Sequence, residues 1–179
     1  MGKLFRNGIA IMKGCILKLF HPNNIGVKLR CFKGAEIRIY KGSSAHIGMG
    51  LKVDTNALIS VLSDGDLVIG NNVGVGSHNM IICHNHIEIG DGTIMGPGVC
   101  IYDHDHTFSA EKGVDRTQYS FGEVFIGKNC WIGANTIILK GTIIGDNCVI
   151  GAGCVIKGNY PSGSLIIQKR ETTVEKIKG

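Results

Sequence analysis

Rings and prolines are scarce in this chain. Aromatic residues make up 6% of its 179 residues, and there are three prolines. A core of packed rings is excluded, so the interior has to be built from aliphatics. The seven cysteines form no CxxC pair, and their number is odd. That argues against a disulfide framework and for reduced thiols in a cytoplasmic protein. No apolar run is long enough for a membrane span, because Lys13 and Lys18 interrupt the stretch from Gly8 to Phe20. No secretory leader is expected. Lys and Arg nowhere cluster with aromatics, so nucleic acid is not an expected partner. There is no P-loop and hence no sign of nucleotide hydrolysis.

Glycine, by contrast, is abundant at 27 residues, which implies many tight turns. The length suits one compact domain. The net charge of +5 suits anionic ligands such as a nucleotide or an acidic sugar.

The turns recur with a period. Ile126, Ile132, Ile138, Ile144, Ile150 and Ile156 follow one another at intervals of six. Two residues before each stands Val124, Cys130, Thr136, Thr142, Cys148 or Cys154, all small or β-branched. A helix would need apolar spacing of three and four. A period of six with a partner at minus two describes a short strand with two inward residues, followed by a turn. Three such strands close a triangular coil. The same frame runs upstream through Ile25, Cys31 and Ile37; Ile47, Val53 and Ile59; Ile69, Val75 and Ile81; and Ile89, Met95 and Ile101. The insertion Ser63–Asp66 is expected at a corner. Cys31, Cys130, Cys148 and Cys154 fall on inward sites and read as small hydrophobes.

Runs such as Ile-Gly-Asn-Asn-Val, Ile-Gly-Lys-Asn-Cys-Trp-Ile-Gly-Ala-Asn and Ile-Gly-Asp-Asn-Cys-Val-Ile-Gly-Ala-Gly resemble the hexapeptide-repeat acyltransferase family, of the sugar and polysaccharide O-acetyltransferase type. The resemblance implies an all-β fold, a left-handed parallel β-helix of about six triangular coils over residues 25–167. Such a helix is an exception to the usual right-handed crossover. It further implies a homotrimer with active sites between subunits, and flat solenoid faces invite such lateral packing. Residues 1–24 form an N-terminal cap segment. Phe5, Ile9, Met12, Ile16 and Phe20 have helical spacing there, which Gly8 and Gly14 weaken. Covering the open end of the β-helix is the favoured role for the segment. A membrane-surface helix, suggested by Lys3, Arg6, Lys13 and Lys18, is possible but not expected. Residues 168–179 are expected to form a short helix or tail.

Four histidines gather in this frame. Because Ile81 and Ile101 are register equivalents, His84 should lie over His104, His86 over His106, and Asn85 over Asp105, about 4.8 Å apart. Three roles compete for this block: a polar corner without chemistry, a zinc site like that of the γ-class carbonic anhydrases, and a catalytic base. No metal is expected, because the histidine spacing of that class is not evident. Ile87–His106 resembles, without gaps, the stretch leading to the family's catalytic histidine, which His106 matches. The resemblance implies acetyl-CoA as co-substrate and a carbohydrate hydroxyl of capsule, O-antigen or exopolysaccharide as acceptor. An amine on a nucleotide-linked amino sugar is the alternative. A histidine suits the reaction, since it takes a proton near neutral pH as the oxygen attacks the thioester. Asp103, Asp105 or a backbone carbonyl would orient the imidazole.

The segment 107–123 is the longest interruption of the repeat and is expected to be an extruded loop over the active site. Lys112, Arg116 and Tyr119 on it are candidates for binding the acceptor. Downstream, Cys130–Ala134 resembles the family segment that borders the pantetheine arm. Trp131 should point outward, and Gly133, Ala134 and Ala152 would let the ligand approach closely. Lys157, Lys169 and Arg170 are candidate partners for the CoA phosphates. After Pro161 the chain departs from the family's usual turn, which puts the contacts at that end of the ligand in doubt.

Overall fold

The structure is a computed structural model that describes residues 2–21 and 24–177; the side chains of residues 2–6 are outside the described part. It is a left-handed parallel β-helix of about six turns with one N-terminal helix. One face stacks seven short strands: Arg30–Cys31, Lys52–Val53, Gly74–Val75, Ile94–Met95, Trp131–Ile132, Val149–Ile150 and Leu165–Ile166. The other two faces merge into a single larger sheet, because strands Ile137–Ile144 and Val155–Tyr160 run through a corner.

Each inward aliphatic sits on its equivalent one coil away. Ile59, Ile81, Ile101, Ile138 and Ile156 are Cα partners in turn along one face. Nearly every inward site is sealed: Ile59, Ile81, Ile101, Ile132 and Ile138 are fully buried. Ile37, in the first coil, is only partly buried because no coil lies beyond it. The small-residue sites are buried as well, and Cys130, Cys148 and Cys154 expose 2% or less. The thiols still find acceptors: Cys130 Sγ donates to Gly145 O at 3.2 Å and Cys148 Sγ to Pro161 O at 3.2 Å. All seven cysteines are free.

Left-handed backbone marks the corners. Asn56, His78, Gly98, Asn135 and Gly153 form one column of residues with positive φ. Asn tolerates this conformation through local hydrogen bonding, and Gly through its lack of a Cβ. The Ser63–Asp66 insertion divides: Asp64 turns the corner with φ of 68°, whereas Asp66 already starts strand Asp66–Ile69.

The N-terminal helix spans Gly2–Phe20 and lies against the first coil. The residues whose spacing marks the helix, Ile9, Met12, Ile16 and Phe20, are all exposed. The contact runs instead through Ala10, Gly14 and Leu17. Gly14 approaches the backbone so closely that a Cβ there would meet Leu29 O at 2.0 Å. The glycine that weakened the helix pattern is thus what allows the helix to dock. Lys3, Phe5 and Arg6 have side chains outside the described part.

At the far end, the chain beyond strand Leu165–Ile166 has no regular structure through Ile177. Gln168 closes the exposed edge there: it accepts from Val155 N at 2.8 Å and donates to Val155 O at 2.6 Å. The Arg170 guanidinium donates to Gly153 O.

Ile132→Ala is expected to cost about 3 kcal/mol, read as a lower urea midpoint with an unchanged slope. The reason is that rigid coils above and below cannot collapse into the vacated space.

Candidate active site

The repeat breaks at one corner. Strand Cys100–Tyr102 is paired on both sides, with Met80–Ile82 and with Ile137–Ile138. The chain then turns outward at Asp103 and forms an antiparallel hairpin, His104–Ser109 against Gly113–Phe121, before re-entering the coil at Val124. The expected loop over 107–123 is therefore a β-hairpin that begins three residues earlier, at His104. Gly122 N donates to Asp103 O at 2.9 Å and closes its base. Gly122 has to be this small: a Cβ there would meet Gly141 N at 2.9 Å.

The break changes the register of the histidines. His84 and His104 lie one over the other as the frame implied, edge to face, with ring centroids 5.2 Å apart at 88°. His86 and His106 do not stack. His86 pairs in register with Asp66, and its Nδ1 lies 3.0 Å from Asp66 Oδ2. On its other side it meets the Phe125 ring at 5.2 Å. His106 has left the coil by then and pairs with Tyr119 across the hairpin. Asn85 likewise does not lie over Asp105. The carboxylate beside Asn85 is that of Asp103.

Asp103 is fully buried at the root of the hairpin. Its carboxylate accepts from His84 N at 2.9 Å, from Asn85 N at 2.7 Å and from His104 Nδ1 at 2.7 Å. Burial alone would raise its pKa, but the hydrogen bonds from the His104 ring and the two backbone amides outweigh it and hold the group below the ordinary value of 3.8. An ionised carboxylate only accepts, so His104 Nδ1 carries the proton, and the neutral ring keeps its lone pair on Nε2. For His106 the same logic runs through a backbone carbonyl: Nδ1 donates to Asp115 O at 3.2 Å, which again leaves Nε2 as the base.

Alternation along the hairpin separates two faces. His104, His106, Tyr119 and Phe121 share one. Tyr119 lies at the centre of the ring cluster, 4.7 Å from His84, 5.4 Å from His104 and 4.6 Å from His106. Asp105 and Ser120 share the other face, where Lys140 Nζ meets Asp105 Oδ2 at 3.1 Å and Ser120 O at 2.9 Å. Lys140 is the register equivalent of Asp103 one coil on, so the frame itself could have pointed to it. Phe121 and Asp115 carried no such signal, because the pairing of the hairpin cannot be read from the repeat. His84 Nδ1 is buried without a hydrogen-bond partner among the described residues. Lys112 and Arg116 are exposed toward the hairpin tip. Also among the described residues, no three His, Cys, Asp or Glu side chains converge to hold a metal ion.

Most of the residues proposed to contact CoA gather elsewhere, but Lys157 does not: it lies beside Gly141, on the edge where the hairpin re-enters the coil. Trp131 is 55% exposed on the seven-stranded face, between Ile94 and Val149. Gly133, Ala134 and Ala152 stack at the next corner, where Arg170 also folds back. Lys157 and Lys169 are exposed. Within one chain, this corner and the histidine cluster belong to different edges of the triangle.

Residues 123–158 match the family model described as bacterial transferase hexapeptide (six repeats). Nodulation protein L of Rhizobium meliloti (strain 1021) is 40% identical over 76 residues, which is 39% of this chain and 41% of that protein. Nodulation protein L of Rhizobium leguminosarum bv. viciae is 43% identical over 53 residues, 30% of this chain and 27% of that one. The chain therefore matches less than half the length of these curated relatives. The fold is also that of AntD, an N-acyltransferase from Bacillus cereus. A mutant in complex with dTDP and Coenzyme A superposes with TM-score 0.69 at 20% identity, covering 87% of this chain and 89% of that one. The complex with dTDP and 3-hydroxybutyryl-CoA gives 0.66 at 20%, covering 82% and 79%. The hexapeptide repeat of that family model thus falls on the coils that follow the hairpin.

Asp103→Asn should leave the backbone N–H groups of His84 and Asn85 poorly paired and cost about 1–3 kcal/mol at neutral pH. Because the folded-state pKa lies below 3.8, this carboxylate contributes its full stability above that pH and loses it as pH falls toward the folded value. The gap between wild type and Asp103→Asn in urea unfolding should therefore shrink on acidification below 3.8.

Proposed function

We propose that this protein transfers an acetyl group from acetyl-CoA to a carbohydrate hydroxyl, with His106 as general base. The observation that carries the reading is the accessible imidazole at the root of a braced hairpin, with its Nδ1 proton engaged by Asp115 O and its Nε2 open. His106 Nε2 takes the hydroxyl proton as the acceptor oxygen forms its bond to the thioester carbonyl carbon. When the tetrahedral centre collapses, the carbon–sulfur bond breaks and the imidazolium returns the proton to the departing thiolate. The oxyanion needs a backbone N–H donor. No cysteine is called on, since Cys130, Cys148 and Cys154 point into the core.

The donor fits the other corner. An exposed indole beside Ile94, the small side chains of Ala134 and Ala152 at the corner, and the cations of Lys169 and Arg170 suit a pantetheine arm that ends in phosphates. Acetyl-CoA supplies the activated acyl group there. That corner and the histidine cluster lie on different edges of one chain, which favours a homotrimer in which the cluster of one subunit faces the donor corner of the next. Lys112 and Arg116 on the hairpin, together with Tyr119, are the proposed contacts for the acceptor. A cytoplasmic location accords with the free thiols.

A second assignment of the base is favoured by one distance, the 2.7 Å between His104 Nδ1 and Asp103 Oδ1. The His104 side chain is only 13% exposed, however, and it is walled in by His84 and Tyr119. His104 therefore serves best as the support of the cluster.

His106→Ala should lower acetyl transfer by about 10²–10⁴-fold in a thiol-release assay, with oligomeric state and thermal melting unchanged. His104→Ala should lose less activity and more stability. Near-normal turnover by His106→Ala would sink this assignment, and a deeper loss in His104→Ala would transfer the role to His104. The same assay over a panel of hydroxyl acceptors and nucleotide-linked amino sugars decides between O- and N-transfer.

A further inference from the structure

The N-terminal helix has two apolar sides, and the β-helix covers only one. With about 100° per residue, Ala10, Gly14 and Leu17 fall on the side that meets the first coil. Ile9, Met12, Ile16, Leu19 and Phe20 fall on the opposite side, all exposed, with Leu19 at 82% and Phe20 at 77%. Lys13 and Lys18 stand at the two boundaries between these sides, each half-buried. Next to the helix, Ile11, Cys15, Leu19, Val27 and Leu29 line an apolar groove of about 410 Å³.

Charge is polarised toward the same end. The first 35 residues hold seven of the 19 basic residues and none of the 14 acidic ones, a charge of +7. The remaining chain carries −2, so the net charge of +5 arises entirely from this end. The first acidic residue, Glu36, is paired with Arg38.

We propose that this end of the molecule docks on an anionic lipid surface, with the outward side of helix Gly2–Phe20 lying in the interface. Apolar residues toward the lipid, and lysines at the polar boundary reaching to headgroups, is the arrangement of an interfacial helix. No helix in the described residues is long and apolar enough to cross a membrane, so the contact is peripheral. A second copy of the chain is the poorer occupant. Packing two such ends together would set lysines against lysines with no acidic group on the helix to pair them. The basic residues are worth more against a negatively charged leaflet, where each adds to the attraction. This inference does not depend on the acyltransferase reading.

Sedimentation of the full-length protein with vesicles tests it. Vesicles of phosphatidylcholine mixed with phosphatidylglycerol should bind the protein at least about tenfold more strongly than phosphatidylcholine alone, and binding should weaken several-fold at high salt. Met12→Glu/Ile16→Glu should lower binding about tenfold or more while leaving the circular dichroism spectrum intact. Lys13→Gln/Lys18→Gln should reduce the preference for anionic vesicles. Absence of vesicle binding by the wild type would overturn the proposal, as would undiminished binding by Met12→Glu/Ile16→Glu. It would equally be overturned if the only effect of that variant were to abolish self-association seen by ultracentrifugation without lipid.

Discussion

Everything in this molecule hangs on vertical register between parallel strands. Each coil offers its inward aliphatics to the same positions of the coils above and below, and hydrogen bonds fix the match residue by residue. A slip of one residue would turn the inward row to solvent. Most corners obey the same constraint, with one left-handed residue above another. A side chain at a corner is consequently placed by the whole column.

The hairpin is a controlled departure from that constraint. Most coils recur every 20 to 22 residues, whereas Ile101 and Ile138 are adjacent in space though far apart in sequence. The extra chain leaves without disturbing the stack because Gly122 and Gly141 lie close together at the exit and Lys140 ties Asp105 and Ser120 to the next coil. The buried Asp103 carboxylate secures the other side by joining the previous coil, through the His84 and Asn85 amides, to the first ring of the hairpin. Rigid coils on both sides thus hold a short, ring-rich ribbon in which His104 is packed at the base and His106 is exposed.

The coils were legible in the sequence because a period of six repeats often enough to be unmistakable. Inference failed where the periodicity stopped. The His84–His104 stack was correct because both residues precede or begin the excursion; extending the same frame two residues further wrongly paired His86 with His106. Lys140 was visible in principle, from its distance to Ile138. Asp115 and Phe121 depend on cross-strand pairing in a hairpin with a bulge between His106 and Phe108, which no periodicity encodes. The helix and its place over the first coil were legible, but its docking side was not. Its docking side is made of Ala10, Gly14 and Leu17, and small residues make close backbone approach possible without leaving a hydrophobic stripe. The more conspicuous stripe faces away.

Gln168 bears on the length of the solenoid. A β-helix is a sheet whose last coil offers unpaired amides and carbonyls, the same template on which fibrils elongate. The carboxamide of Gln168 has one donor and one acceptor in the geometry of a peptide group, and it occupies Val155 N and O as another strand would. At the opposite end the N-terminal helix lies across the first coil. One side-chain amide and one helix thus occupy, at opposite ends, part of the edge on which a further coil would have to pair.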